Sequence, residues 1–268
     1  MIQQEFNGLY RYDDRGERFY ARVKDGNVIW YPSVTRIIKA TSPTPPGLMA
    51  WYAKHGFEEA GKLKDDAAER GTQMHRLIED YLRGGYVDLT DLPEFQAKAL
   101  LAFHTFARDV QLHPIHTERV IYNDELIYAG ACDLICAMQW KGNMITALID
   151  FKSGSNVYDD YAVQLEMYRL AAVQQGFPIV KVFNWSPKDW RKEPTYTLTD
   201  QTAKCTPEEV LHRCKLFHAT NDPKPRARMA IRGTLPNNYD IITVDPDEVI
   251  RLRHDATADA AGTSSEPA

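Results

Sequence analysis

No apolar run in these 268 residues approaches the roughly 18 that a membrane span needs, so no transmembrane segment is expected. The opening MIQQEFNGLYRYDDRGERFY lacks the apolar core of a signal peptide and is too acidic for a transit peptide. The cytoplasm is the expected compartment. Cysteine is scarce: Cys132, Cys136, Cys205 and Cys214 are too dispersed for a metal quartet, and the first two share an apolar run that suits buried small hydrophobes. Neither sign of charge dominates. The net charge of −5 belongs to residues 240–268, where seven acids face Arg251 and Arg253, while the other 239 residues balance 30 bases with 30 acids. The whole-protein field therefore gathers no polyanion, and any such partner must be held by local basic patches. With 44% hydrophobic and 26% charged residues, the composition is that of a globular chain long enough for a sizeable core.

Residues 1–31 alternate polar with aromatic or β-branched residues, and Asp25-Gly26-Asn27 between the last two runs predicts a hairpin. Ser33 is the expected N-cap of a short helix reaching about Ala40. Three prolines make 41–47 a loop. Leu48 to Tyr81 is helical in pattern and ends at Gly84-Gly85; a second helix runs from Pro93 to about Val110. Strand-like runs follow at 115–122, 126–138 and 144–151, then an amphipathic helix at 159–175 ended by Gly176, then a strand at 179–185. This order predicts a mixed α/β (α+β) core behind a helical N-terminal part. Residues 186–238 read less clearly apart from a helix near 207–219. One domain over 1–254 is expected, in segments 1–110, 111–185 and a basic 186–254, with 255–268 a disordered tail.

The chemistry concentrates at Asp133 and Asp150-Phe151-Lys152. A tight turn centred on Lys141-Gly142 would set the two aspartates directly opposite each other, with Cβ atoms about 4.5–5.5 Å apart. Lys152 projects from the same face as Asp150. Facing carboxylates among apolar neighbours repel and are partly desolvated, and a divalent cation is the usual remedy. His75, one helical turn after Gly71, is a third ligand candidate, because the bare backbone at Gly71 lets another element come close. Glu79 lies a further turn along. The Trp51-Tyr52 pair reads as core.

His75, Asp133, Asp150-Phe151-Lys152 and Gln164-Leu165-Glu166-Met167-Tyr168, in this order, resemble the PD-(D/E)xK nuclease superfamily in its RecB-like exonuclease branch. Tyr31-Pro32-Ser33-Val34-Thr35-Arg36-Ile37 looks like the Ser-Val-Thr motif of phage-type and mitochondrial-maintenance-type single-strand exonucleases. Cys132 stands where the superfamily name has proline. The resemblance covers about two thirds of the chain. It implies a restriction-endonuclease-like core, a mixed central sheet flanked by helices.

The resemblance further implies a DNA exonuclease that hydrolyses phosphodiester bonds on single strands or strand ends in recombination, repair or replication. A structure-selective endonuclease on the same core, or a non-catalytic DNA-binding accessory protein, are the alternatives. His75, Asp133, Asp150 and the Phe151 carbonyl would hold Mg²⁺ or Mn²⁺, as one ion or two, and Lys152 would orient the attacking water or stabilise the phosphorane. Glu118 is either an accessory ligand or an exposed strand residue paired with Arg119. Gln164 would order Lys152 or the DNA backbone; Tyr168 would contact phosphate or base, or simply be core. Ser33, Thr35 and Arg36 would bind DNA at a helix N-terminus. The run 181–232, with 11 bases among Trp185, Trp190, Tyr196 and Phe217, is either a single-strand surface or a solvated face. No cysteine precedes His75 and no triplet follows Lys152, so no iron–sulfur cluster is expected. A helicase or annealing protein would be its recombination partner, in a bacterial or phage-infected cytoplasm.

Overall fold

A computed structural model describes residues 2–4, 8–14, 16–44, 46–84, 87–154, 158–188, 194–234 and 238–262. The architecture is α+β. Its centre is a five-stranded sheet in sequence order, β5 (His113–Asn123), β6 (Tyr128–Trp140), β7 (Asn143–Phe151), β8 (Lys181–Lys188) and β9 (Thr195–Asp200). All neighbours are antiparallel except β7 and β8, whose parallel pairing needs a crossover that α5 (Asp159–Gln174) supplies.

The turn between β6 and β7 sets the register. Lys141 and Gly142 both have positive φ, 49° and 85°, the two-residue geometry that matches strand twist. Pairing then runs from Trp140↔Asn143 to Leu134↔Ile149, as the sequence predicted. Each sheet face is covered by helices. On one side Leu148 and Val182 pack with α5, α1 (Val34–Thr41) and α6 (Pro207–Thr220). On the other, Leu134, Cys136, Ile149, Phe183 and Trp185 pack with α3 (Phe57–Leu82) and α4 (Glu94–Asp109). All four cysteines are free and buried.

The predicted N-terminal hairpin is half of a four-stranded antiparallel sheet: β1 (Ile2–Gln4), β2 (Leu9–Asp14), β3 (Glu17–Lys24) and β4 (Asn27–Pro32). One face buries Tyr10, Tyr12, Phe19 and Trp30 against Ile250 of α7 (Pro246–Gly262). On the other, Leu9, Tyr20 and Tyr31 pack on Ala129 of β6.

Several expectations change. The loop at 41–47 is shorter, because α2 (Pro46–His55) starts on Pro46, where a missing N–H costs nothing. The helical stretch from Leu48 breaks at Gly56, whose φ of 75° ends α2 before α3 begins. Trp51 and Tyr52 are half-buried and touch each other, not the core clusters. Region 186–238 contains β9 and β10 (Arg228–Thr234), and β10 forms a hairpin with β11 (Asn238–Val244).

The stretch expected to be disordered from Asp255 is helical to Gly262, and 263–268 lie outside the described residues. Its alanines favour helix, and α7 is tied down by side chains. Trp30 Nε1 donates to Asp247 at 2.7 Å, and the Tyr10 hydroxyl meets His254 Nδ1 at 3.2 Å and Thr257 at 3.0 Å. Lys224 pairs with Asp245 and Asp247, so part of the acidic C-terminal segment is structural. No helix among the described residues is long and apolar enough to cross a membrane.

Candidate metal centre

Strand pairing lays a row of polar side chains across the central sheet. Glu118 lies between the pairs Thr117↔Leu134 and Arg119↔Cys132, which sets it beside Asp133. Asp133 follows the last β6–β7 pair, Leu134↔Ile149, which sets it beside Asp150, and Asp150 pairs with Asn184 on β8. Glu118 has φ 48°, a left-handed conformation that a glutamate rarely adopts. Such strain persists only where the surroundings enforce it.

α3 brings His75 onto this row. A methyl built on Gly71 would lie 3.4 Å from Ser153 Oγ, so the loop after β7 does approach the helix at that glycine, though without excluding a methyl. His75 Nε2 lies 3.0 Å from the Phe151 carbonyl oxygen. A carbonyl only accepts, so Nε2 carries a proton and Nδ1 faces the acids, 3.6 Å from Asp133 Oδ1 and 3.9 Å from Glu118 Oε1. One ligand atom from each of His75, Glu118 and Asp133 falls within 4.8 Å of the others. Glu118 therefore belongs with the cluster. The Phe151 carbonyl, expected as a metal donor, holds the imidazole in this structure, while the Phe151 N–H donates to Asp133 Oδ2 at 2.6 Å.

Asp150 stands beside Asp133 as the register requires, but its carboxylate is engaged on the other side. Its Oδ2 lies 2.6 Å from Lys152 Nζ and accepts from Asn184 Nδ2 at 2.9 Å, and Gln201 Nε2 donates to Asn184 Oδ1 at 2.8 Å. Asp150 is therefore beside the three-residue cluster, not within it. Lys152 Nζ also donates to Gln164 Oε1 at 3.0 Å and sits 4.2 Å from the Tyr161 ring centre. Gln164 Nε2 in turn donates to the Tyr168 hydroxyl at 3.2 Å. Tyr168 packs as core, its ring buried against Gly130, and its hydroxyl ends the chain of bonds that holds Lys152.

The charges explain the pKa directions. Burial alone would lower His75, but Asp133, Glu118 and Asp150 hold it up to about 9. Burial pushes the Asp133 carboxyl above the usual range, and Asp150 and Glu118 add to the rise while His75 opposes it. Three carboxylates against one imidazole and one ammonium leave the site short of positive charge. Imidazole nitrogen and carboxylate oxygens are donors that divalent cations take, so the residues fit a divalent cation.

The cluster opens into a cleft of about 720 Å³ that Arg76, Glu79, Arg11 and Arg18 also line. A second cleft, of about 560 Å³, is lined by Ser33, Thr35, Arg36, Lys39 and Tyr168. Ser33 caps α1 as expected, its Oγ accepting from Arg36 N at 3.2 Å, and lies 3.2 Å from the Thr35 hydroxyl. The Arg36 guanidinium is already engaged, donating to the carbonyls of Asp222 at 2.9 Å and Pro223 at 3.2 Å.

Among the described residues of the 181–232 run, the aromatic side chains pack inward and do not stand among its bases. Trp185 and Phe217 are fully buried, Tyr196 packs on Phe106, and Lys181, Arg213 and Lys224 each pair with an acid. Trp190, Arg191 and Lys192 lie outside the described residues, as does the side chain of Arg232. The bases that line the clefts come from β2, β3, α1 and α3. Asn184, Gln201, Arg11 and Arg18 were not singled out from the sequence. Asn184 had a signal: it is the one polar residue inside the apolar run VFNW.

Comparison with known proteins gives no match, either to a family model or to a curated sequence.

Proposed function

We propose that the chain is a divalent-metal-dependent nuclease that hydrolyses the phosphodiester backbone of DNA, acting as an exonuclease on single strands or strand ends. The observation that carries this reading is the meeting of His75, Glu118 and Asp133 beside Asp150 and an ordered Lys152. A binding module has no need for three neighbouring carboxylates, whose repulsion costs stability. His75, Glu118 and Asp133 would hold Mg²⁺ or Mn²⁺, with Asp150 the adjoining carboxylate. The bound ion supplies Lewis-acid polarisation of a phosphate oxygen and a lowered pKa for the attacking water.

The protein's own groups divide the remaining work. Phe151 fixes the His75 ring so that Nδ1 points at the acids. Lys152, held between Asp150 and Gln164, presents an ammonium that orients the attacking water or stabilises charge growing on the phosphorane oxygens. Asn184 on β8, itself held by Gln201 just after β9, keeps Asp150 in place.

The test uses end-labelled single- and double-stranded DNA and a circular single strand, with Mg²⁺, Mn²⁺ or EDTA, comparing wild type with Lys152→Ala. The proposal expects a metal-dependent ladder or loss of label from linear DNA, absent in the variant. Cutting of the circle would instead indicate an endonuclease. DNA binding without cleavage of any substrate would contradict the enzyme reading and favour the accessory role.

A further inference from the structure

The two clefts share a wall. Arg11, Arg18, Tyr20 and Ala131 line both the cleft of the metal cluster and the cleft at the α1 N-terminus. The wall follows from the pairing of β2 with β3. Arg11 stands opposite Tyr20 and Asp13 opposite Arg18, so these four side chains share one face. Tyr10, Tyr12 and Phe19 point the other way, into the packing under α7. The arginines are thus carried on strands anchored from behind.

Their surroundings leave them positive. Arg11 Nε lies 3.0 Å from Asp13 Oδ2, and Arg18 Nε is 3.9 Å from Asp13 Oδ1, so two guanidiniums face one carboxylate. Among the other charged groups of these clefts, Glu17 leans toward Arg36 at 3.7 Å and Glu79 pairs with Arg83, while Arg76 and Lys39 add further positive charge. Arg36 shows what a structural arginine looks like here, with its head bonded to backbone carbonyls. Arg11 and Arg18 have instead a shared acid, with the Tyr20 hydroxyl as a further partner of Arg18, and an open cleft on either side. Arg18 is the more exposed, at 43% against 29%. Guanidinium forks match phosphate oxygens in pairs, a geometry that a lysine ammonium cannot reproduce.

We infer that Arg11 and Arg18 form a phosphate-binding ridge that carries the backbone of a single DNA strand from the α1 N-terminus to the metal centre. The inference rests on the nuclease reading for its substrate and adds the residues that position the strand. The ridge touches phosphates next to the scissile one, so it confers affinity without sequence preference.

The test is the salt dependence of binding. A fluorescein-labelled oligo(dT) is titrated in EDTA at several NaCl concentrations with wild type, Arg11→Ala/Arg18→Ala, Arg11→Gln/Arg18→Gln and Arg18→Lys. Thermal melts identify any variant that fails to fold, and the Gln pair substitutes for the Ala pair in that case. Each phosphate that is no longer neutralised lowers the slope of log K against log[salt] by about 0.7, so the slope should fall by about 1.4 in either double variant. Arg18→Lys should keep most of the slope while binding more weakly, having the charge but not the fork. Cleavage of the same oligonucleotide in Mn²⁺ runs in parallel. A cleaving wild type with an unchanged slope in the double variants overturns the ridge and spares the nuclease reading. A wild type that neither binds nor cleaves overturns both.

Discussion

Gly130→Ala tests the packing that underlies the chain from Tyr168 to Lys152. Gly130 does not have positive φ, so an alanine backbone fits; the conflict is steric. The new Cβ would sit 2.7 Å from Tyr168 Cε1 and 3.3 Å from Val34 Cγ2. Carbon atoms pack best at about 3.5–4.0 Å, so the ring must retreat by roughly 1 Å. At 4% exposure between α5 and the sheet, Tyr168 has little room to do so. Overpacking of this kind costs about 1–3 kcal/mol, and the stiffer unfolded chain returns about 0.4–1 kcal/mol. A net loss of about 1–2 kcal/mol corresponds to a fall in Tm of roughly 2–8 °C. Activity should fall further, by on the order of a hundredfold, because misplacing catalytic groups by about 1 Å has that effect. Thermal unfolding and single-turnover cleavage are the assays. In a Tyr168→Leu background, where Cε1 is gone, Gly130→Ala should add little to the loss of stability. A Gly130→Ala protein that melts at or above the wild-type temperature would show that the steric conflict does not exist.

Other consequences can be measured with the same reagents. Lys152→Ala should abolish cleavage while metal and DNA binding survive, as read by calorimetry and gel shift; near-normal turnover would remove Lys152 from its role. Asn184→Ala leaves Asp150 without its strand-borne donor and Gln201 without its acceptor, and should cost about 1–3 kcal/mol by denaturant unfolding. His75 is held protonated up to about 9 in the metal-free protein, and that proton must leave Nδ1 before the nitrogen can ligate. Apparent metal affinity should therefore rise with pH up to about 9 and level off above it. Calorimetry in two buffers of different ionisation enthalpy would show proton release at neutral pH, and its absence would count against His75 as a ligand.

Where a local rule fixes structure, the sequence was legible. Lys141-Gly142 supplied the turn that sets Asp133 beside Asp150, and Ser33 capped its helix. What escaped lay where tertiary packing decides. β9 is an edge strand, half-buried for most of its length, so its alternation is weak. α7 was hidden by its acids, and only Trp30 and Lys224, remote in sequence, show why Asp245 and Asp247 lie there. Glu118 remained ambiguous because its left-handed backbone is not encoded by its neighbours. In 181–232, strand and helix periods hid the fact that Trp185 and Phe217 point inward. Arg11 and Arg18 sat in plain alternation, but which face of that sheet meets the site depends on α7 covering the other.

Direct Mn²⁺ titration of the wild type and of Asp133→Asn, followed by calorimetry at fixed pH, is the sharpest test of the metal centre. Saturable binding by the wild type, lost in Asp133→Asn while the variant still melts cooperatively, is the predicted result. Equal binding by both proteins, or none by the wild type, would contradict a metal centre at His75, Glu118 and Asp133.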